Sequence, residues 1–596
     1  MKTLLQNLLC FCAILNIFTF SSYAQTLPSN FQYDWHQAGL EDTFSSSITL
    51  NILNFGADSS GVTPSDSALS AAINSLSTQS KTIFFPAGTY LFQSPILLPA
   101  YTILEGAGSN QSFLKFDLNG SDHAIEIKGN FSNIATSLKQ PASKKDTVIY
   151  LTSTMDYQIN EVIKIQLNDS DWVVSQTLNR TVGQIVRIIG KTDTSLTLNH
   201  PLRLDYPLYR RPVIQKMEPV RNSGIRCLNI TREDATSAQT HTIYFNKAYN
   251  CFASGLVMQK ANFAHIAISY SSHISVEGSY FLDAHNYGEG GKGYGVLCQL
   301  TSGDCLIENN VFEHLRHSML LQLGANGNVF GYNYSIDPYW DQAPLPQDAA
   351  GDMVLHGYYP YANLFEGNIG NNIVIDDSHG INGPHNLFFR NQAKLYGIFM
   401  NNNPPTDSQA FIGNEIVKTT DPYGLYILFG QGHFTYGNWV RTAIQPANTE
   451  QLPDSSYYLK TKPSFLTDFP WPSIGTPYPI NSGIIPAKYR YDANVLTTCG
   501  GTIPDPPLGV LQPEGKSFQP ILYPNPNPGN FRLKWDSNTI SKVVVRIWNP
   551  LGKLIIEKKV ANNEQINLQN LPNGHYWIGV STGEARPYFS TFIIER

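Results

Sequence analysis

Four phenylalanines, Phe365, Phe388, Phe411 and Phe434, recur at one constant spacing: 388 − 365, 411 − 388 and 434 − 411 all equal 23. They lie in segments of matching pattern: Asn363-Leu-Phe365-Glu-Gly-Asn368, Asn386-Leu-Phe388-Phe-Arg-Asn391, Gln409-Ala-Phe411-Ile-Gly-Asn414 and Gly432-His-Phe434-Thr-Tyr-Gly437. Such a period, with an apolar residue and an Asn at fixed offsets, is what a coil of stacked β-strands requires, because each rung must repeat the one beneath it. Asn368, Asn391 and Asn414 each stand third after a Phe, and stacked amides at a coil's corners can hydrogen-bond along its axis. The register runs back to Phe330 with Asn333, and Phe312 precedes Phe330 by somewhat less than a full period. The interval from Phe330 to Phe365 exceeds one period by about half, and the excess reads as a loop.

The 596 residues leave room for a large core and more than one domain. Residues 1–24 read as a signal peptide, with Lys2, an apolar run from Leu8 to Phe20, and Ser22-Tyr23-Ala24 at the cleavage positions. Net charge is −6 with charged residues at only 14%, and no basic patch points to a nucleic-acid partner. Low charge with 12% aromatics suits neutral polar ligands such as sugars, and equally suits β-rich packing. Five cysteines remain after the signal: Cys227, Cys251, Cys298, Cys305 and Cys499. Their odd number and lack of C-x-x-C spacing argue against a structural zinc site and leave room for one disulfide, the rest being small buried hydrophobes.

Residues 25–47 form a polar lead. Thr49 to Phe55 reads as a strand, and a helix of roughly Ser65 to Ser77 follows, with Ala68, Leu69, Ala72, Ile73 and Leu76 at helical spacing and Thr63, Ser65 and Asp66 as cap candidates. Laid across the open end of a coil, it protects the first rung's edge. Asn54-Phe-Gly-Ala-Asp58, Asp66, Phe85-Pro-Ala-Gly-Thr-Tyr90 and Ile103-Leu-Glu-Gly-Ala-Gly108 resemble the opening of the pectate-lyase-like superfamily of right-handed parallel β-helices. That superfamily also holds polygalacturonase-like hydrolases, β-1,3-glucanases, epimerases and phage tailspikes, so the resemblance implies a fold and leaves the reaction open.

The expected architecture is all-β: a single-stranded parallel β-helix with a capping helix starts over residues 48–138 and resumes over 222–445. A small β-module is inserted at 139–221, a Pro- and aromatic-rich wrap covers 446–500, and 501–517 is a linker. Gly288-Glu-Gly-Gly-Lys-Gly293 fits G-x-G-x-x-G but lacks a strand-turn-helix context and reads as a rung loop. Residues 518–596 alternate as strands. Tyr523-Pro-Asn-Pro526, Asn530-Phe531, Asn549-Pro-Leu-Gly552, Leu571-Pro-Asn-Gly574 and the basic end resemble the C-terminal sorting domain of type IX secretion substrates in Bacteroidetes-like bacteria. The resemblance implies a partner in that secretion machinery, export to the surface or beyond, and removal on export; on pattern alone a carbohydrate-binding β-sandwich is the alternative.

Side chains of successive rungs stack about 4.8 Å apart, so a groove along one sheet can follow an extended polymer. At the same offset before Phe365 and Phe388 stand His356 and His379, each followed by Gly, and the register predicts one over the other. Two such histidines can share a proton, activate a nucleophile or bind a carboxylate. Around them lie Asp352, Asp376, Asp377, Asn382, His385 and Arg390, with Arg316 and His317 upstream. Asp376 and Asp377 point to opposite faces of a strand, so at most one of them serves the groove unless a bend intervenes. Tyr339 and Trp340 on the long loop, with Tyr358 and Tyr359, offer faces for sugar stacking.

The expected function is cleavage of an acidic polysaccharide by β-elimination, with the histidines as base, acid or carboxylate binders and Arg316 or Arg390 neutralising the uronate. A hydrolase with Asp352 and Asp376 or Asp377 as its two carboxylates is the first alternative. A non-catalytic glycan-binding surface protein is the second. The resemblance implies Ca²⁺ as an option, held by clustered carboxylates as in many relatives. A monomer is expected.

Overall fold

The structure, a computed structural model, describes residues 26–596 except 77–78, 176–177, 289, 343–345, 477–479, 482, 501–519, 536–540, 550–552 and 582–587. The signal segment, the linker and most of Asn549-Pro-Leu-Gly552 lie outside the described residues. The chain divides into two units, Met1–Pro506 and Pro507–Arg596.

The first unit is a parallel β-helix with three faces. The first face runs from Thr49–Asn51 and Lys81–Phe85 through Val329–Gly331, Leu364–Glu366, Leu387–Phe389 and Ala410–Ile412 to Phe434–Tyr436. Within each rung the chain crosses to a second face, as at Tyr334–Ile336, then to a third, as at Met353–His356, and returns. Neighbours are joined in parallel register, so each side chain meets its counterpart one rung away. The helix Asp66–Ser75 buries Ala68, Leu69 and Ala72, and the Asp66 carboxylate accepts the backbone N–H groups of Gln93 and Ser94. Ser65 occupies the N-cap position without making a side-chain cap bond.

Phe330, Phe365, Phe388 and Phe411 stack inside the coil with ring centroids 5.1, 4.9 and 5.2 Å apart and planes within 12°. Phe434 leaves this file: Thr435 pairs with Phe411, because the last rung carries one more residue, and Phe434 turns toward Phe31 on the outside. Phe312 belongs to the second face, where it stacks on Phe281; Ile307 is the residue beneath Phe330. The excess between Phe330 and Phe365 is a loop between Tyr334–Ile336 and Met353–His356, since the two phenylalanines are direct neighbours.

At one corner Asn310, Asn333, Asn368, Asn391, Asn414 and Asn438 form a buried file, each Nδ2 donating to the next Oδ1 at 2.9–3.1 Å. Each of these Nδ2 groups also donates to a backbone carbonyl, such as Asn391 to Phe365 O. A second file runs Asn328, Asn363, Asn386, Gln409. A buried amide is costly unless every donor and acceptor is met, and repetition meets them.

The insertion is an antiparallel sheet of six strands from Asn130–Ser137 to Val213–Glu218, with a core of its own around Ile163, Ile165, Val186 and Leu198. The outer side of the first face is covered by the lead, through Leu27, Phe31 and Trp35, and by the wrap, through Leu452, Tyr457, Tyr458, Leu466 and Ile474. A Cys227–Cys499 disulfide ties the wrap's end to an early rung, and Cys251, Cys298 and Cys305 are buried thiols. The second unit pairs all its strands antiparallel in sheets of three and four around Phe531, Val545, Ile578 and Phe592.

Two carboxyls are buried beneath the wrap. Glu308 accepts from Tyr458 Oη at 2.5 Å and Glu366 from Tyr457 N at 2.8 Å, and burial pushes both up to about 8. Between the unfolded value of 4.5 and about 8 the folded chain keeps a proton on Glu366 that the unfolded chain has lost, so stability falls as pH rises across that window. Glu366→Gln removes this titration. We expect it to raise the melting temperature by about 1–3 °C near pH 8.5 and by less near pH 5.5, read by scanning calorimetry; equal shifts at both pH values would contradict the assignment.

Candidate active-site groove

Five strands of the third face lie side by side: β1 (Tyr294–Gln299), β2 (His317–Leu321), β3 (Met353–His356), and the later halves of β4 (Ile369–Asp376) and β5 (Gln392–Met400). Alternation sends Val296, Met319, Met353, Ile373 and Ile398 into the coil and leaves Leu297, Leu320 and Val354 on the outward side as an apolar floor, itself buried together with Phe263 and Tyr294. Beside that floor runs a polar file, one residue per rung. The register places Gln299, Gln322, His356, Asp376 and Asn401 in line. Gln322 Nε2 donates to Gln299 Oε1 at 2.7 Å, and Asn401 Nδ2 to Asp376 Oδ1 at 2.9 Å.

The backbone register pairs His356 with Asp376, not with His379 as the equal spacing predicts. Strands β3 and β4 pair Met353 with Ile373, a step shorter than the full period that separates Leu364 from Leu387 on the first face. The remainder of the period falls in the turn after Asp376. From that turn His379 swings back, its ring centroid 4.7 Å from that of His356 and nearly perpendicular to it. His317, two rungs before Asp376, reaches the same place, its ring 5.6 Å from His356. His317 and His379 therefore both meet His356, which in turn faces the Asp376 carboxylate.

Their environments differ. Nδ1 of His356 lies 2.5 Å from Asp376 Oδ2, off the axis of a straight hydrogen bond. Burial works against the Asp376 charge, but His356 and the Ser378 N–H and O–H outweigh it and hold the carboxyl well below the usual range. His379 is exposed overall, but partial desolvation of its ring, then the neighbouring His356, pushes it below its ordinary value, which favours the neutral form at pH 7. His317 is buried, donates Nδ1–H to Gly351 O at 3.1 Å, and is pushed well down by burial and by Arg316.

Two walls flank the floor. At the strands' entry, Arg316 donates to Gly288 O at 2.6 Å and lies 5.1 Å from the Trp340 ring; its Nε and the Trp340 N–H are buried without a partner. Among the described residues Arg316 has no carboxylate partner. At the strands' exit, Tyr358 stacks near His379, and Tyr359 lies flat on Trp172 of the insertion, 4.1 Å away. The Arg210 guanidinium covers the other face of Trp172 and is held by Asp171.

Several expected site residues serve elsewhere. Asp352 is wholly buried, accepting from Ser335 Oγ and from Asn371 and Asn372 N, and burial raises it to about 6. Arg390 lies under the wrap, where it donates to the carbonyls of Leu452, Asp454, Ile474 and Thr476. His385 faces the lead, 2.7 Å from Tyr33 Oη. Tyr339 is taken up by His314 and Tyr287. Asp377 is buried and accepts from Asn403 N. Asp352 and Asp377 are thus already bonded within the chain, and among the described residues no trio of His, Cys, Asp or Glu side chains gathers in the groove. Gln299, Gln322 and Trp172 join the groove without a motif in the sequence to mark them. The two glutamines stand one full period apart, while Trp172 sits in the insertion, where no register reaches.

Residues 49–196 match the family described as Rhamnogalacturonase A/epimerase, pectate lyase-like, and residues 521–595 the secretion system C-terminal sorting domain. The chain thus carries a pectate-lyase-like segment and a type IX secretion sorting domain. That domain directs the β-helix protein to the cell surface or beyond; no helix among the described residues is long and apolar enough to cross a membrane. No curated protein matches it. Similar solved structures include the tailspike gp49 of Pseudomonas phage LKA1 (12% identity, 66% of this chain and 77% of that one, TM-score 0.49). An exopolygalacturonase of Thermotoga maritima (10%, 68% and 94%, 0.35) and the Streptococcus pneumoniae surface adhesin PfbA (11%, 66% and 99%, 0.30) are others. Likeness at this level bears on neither reaction nor substrate.

Asn382 positions the pair at the centre of the β-helix protein's groove: its Oδ1 accepts from Gly357 N, and its Nδ2 donates to Asp376 O and Thr406 Oγ1. Asn382→Ala strands the buried Gly357 N–H and is expected to cost about 1–3 kcal/mol in urea denaturation. A change within experimental error would contradict this role.

Proposed function

We propose that the protein is a secreted enzyme that cleaves an acidic polysaccharide by β-elimination in the third-face groove. The observation that carries this reading is a neutral, exposed His379 set against a His356 oriented by an ionised Asp376. β-Elimination needs a base for the proton alpha to a uronate carboxylate and a positive group beside that carboxylate. His379 has a free lone pair at neutral pH and takes the base role. Arg316, without a carboxylate of its own among the described residues, neutralises the uronate, with Trp340 beside it as a stacking face. His356, held through Nδ1, presents Nε2 as proton donor to the departing sugar oxygen. His317 supports His356 from below. The expected hydrolase pairs Asp352 with Asp376 or Asp377, and the burial of Asp352 speaks against that pairing.

The test is to incubate the purified full chain with pectic, alginate-like and algal polysaccharides and follow the products. Unsaturated uronate absorbance is expected, falling about 10²–10⁴-fold in His379→Ala. Saturated reducing ends would replace elimination with hydrolysis; binding without cleavage would favour the adhesin reading. Full activity in both His379→Ala and His356→Ala would place the chemistry elsewhere.

A further inference from the structure

Away from the groove, Glu41 of the lead, His200 of the insertion and His273 on the first face bring one ligating atom each within 4.8 Å of the others. Both histidines are buried, and their Nε2 atoms face each other at 3.2 Å. His273 Nδ1 lies 3.0 Å from Gly39 O, which can only accept, so the proton sits on Nδ1 and His273 Nε2 is a bare lone pair. Metal-bound histidines are commonly fixed in this way, by a carbonyl on the far nitrogen. The separation also fits: two nitrogens each about 2.0–2.1 Å from a tetrahedral ion stand about 3.3–3.4 Å apart.

Glu41 is oriented as a ligating carboxylate would be. It accepts from Tyr249 Oη at 2.6 Å, from Arg187 through Nε and Nη2, and from Asn199 Nδ2. A second acid points to a cation. Asp304 is wholly buried, its Oδ1 is bound by Arg203, its Oδ2 has no partner, and its charge acts on both His200 and His273. Without an ion the two imidazoles would share one proton between their Nε2 atoms.

We propose that His200, His273 and Glu41 hold a divalent cation of the Zn²⁺ type, a borderline ion suited to two imidazoles and one carboxylate. Binding forms two N–metal bonds and one O–metal bond, with a water as fourth ligand, and the His200 proton moves from Nε2 to Nδ1, so that both imidazoles bind as neutral ligands. The three ligands belong to three separate segments, so the ion clamps lead and insertion to the β-helix and steadies the insertion that supplies Trp172 to the groove wall. Nothing here depends on the reaction proposed above, because every readout is binding or stability.

The experiment is metal analysis of the full chain purified without chelator, then calorimetric titration of the EDTA-treated protein with Zn²⁺ and melting with and without the ion. One equivalent of Zn²⁺ per chain and a higher melting temperature are expected. His200→Ala should weaken binding by about 100-fold or more, and Glu41→Gln, which keeps shape and hydrogen bonding, by about 10–100-fold. A folded wild-type chain that takes up no Zn²⁺ and melts at the same temperature with it would overturn the proposal in favour of the shared proton. Undiminished binding in folded Glu41→Gln and His200→Ala would overturn it equally.

Discussion

Two files of buried amides set the terms for the rest of the molecule. Each Asn from 310 to 414 in the file spends its donors on the next Asn and on a backbone carbonyl, as Asn391 does with Asn414 Oδ1 and Phe365 O. Nothing else in the corner could take those bonds, so a rung that slipped by one residue would bury unpaired amides at about 1–3 kcal/mol each. The corner thereby locks the register, and the register places the stacked phenylalanines inside the coil and chooses which residues face out. The irregular parts of the chain are confined to turns and to the outer surface.

That division explains where chemistry can appear. On the third face the inward residues stay apolar from Val296 to Ile398, while the outward file changes from glutamines to His356 and Asp376 within neighbouring rungs. The turn from Asp376 to Leu387 is longer than the one from His356 to Leu364, enough to bring His379 back over His356. The long loop before β3 brings Trp340 toward Arg316, and the insertion closes the other side with Trp172. The groove is a set of departures from a repeat whose interior permits none.

The fold was legible because periodicity survives in the sequence wherever the interior is strict: Phe365, Phe388 and Phe411, and the asparagine that stands third after each of them. It misled where counting assumed that every residue of a period sits in the same part of the rung. Phe434 and Phe312 left the file because a turn gained a residue or the spacing belonged to another face. His356 and His379 are neighbours, yet for a different reason than their equal spacing. Arg390, His385 and Asp352 carried the right chemistry for a site but face the wrap, the lead and a buried corner, and burial by distant segments leaves no local mark. The His200–His273 contact was hidden for the same reason: its partners lie far apart in the chain and in different modules.

The most direct measurement is a crystal structure of the His379→Ala variant soaked with a short oligouronide. The oligosaccharide should lie along the third face, with one carboxylate within hydrogen-bonding distance of Arg316 and the adjoining sugar oxygen at His356 Nε2. Sugar bound at another surface with the third face bare would contradict the assignment of the groove.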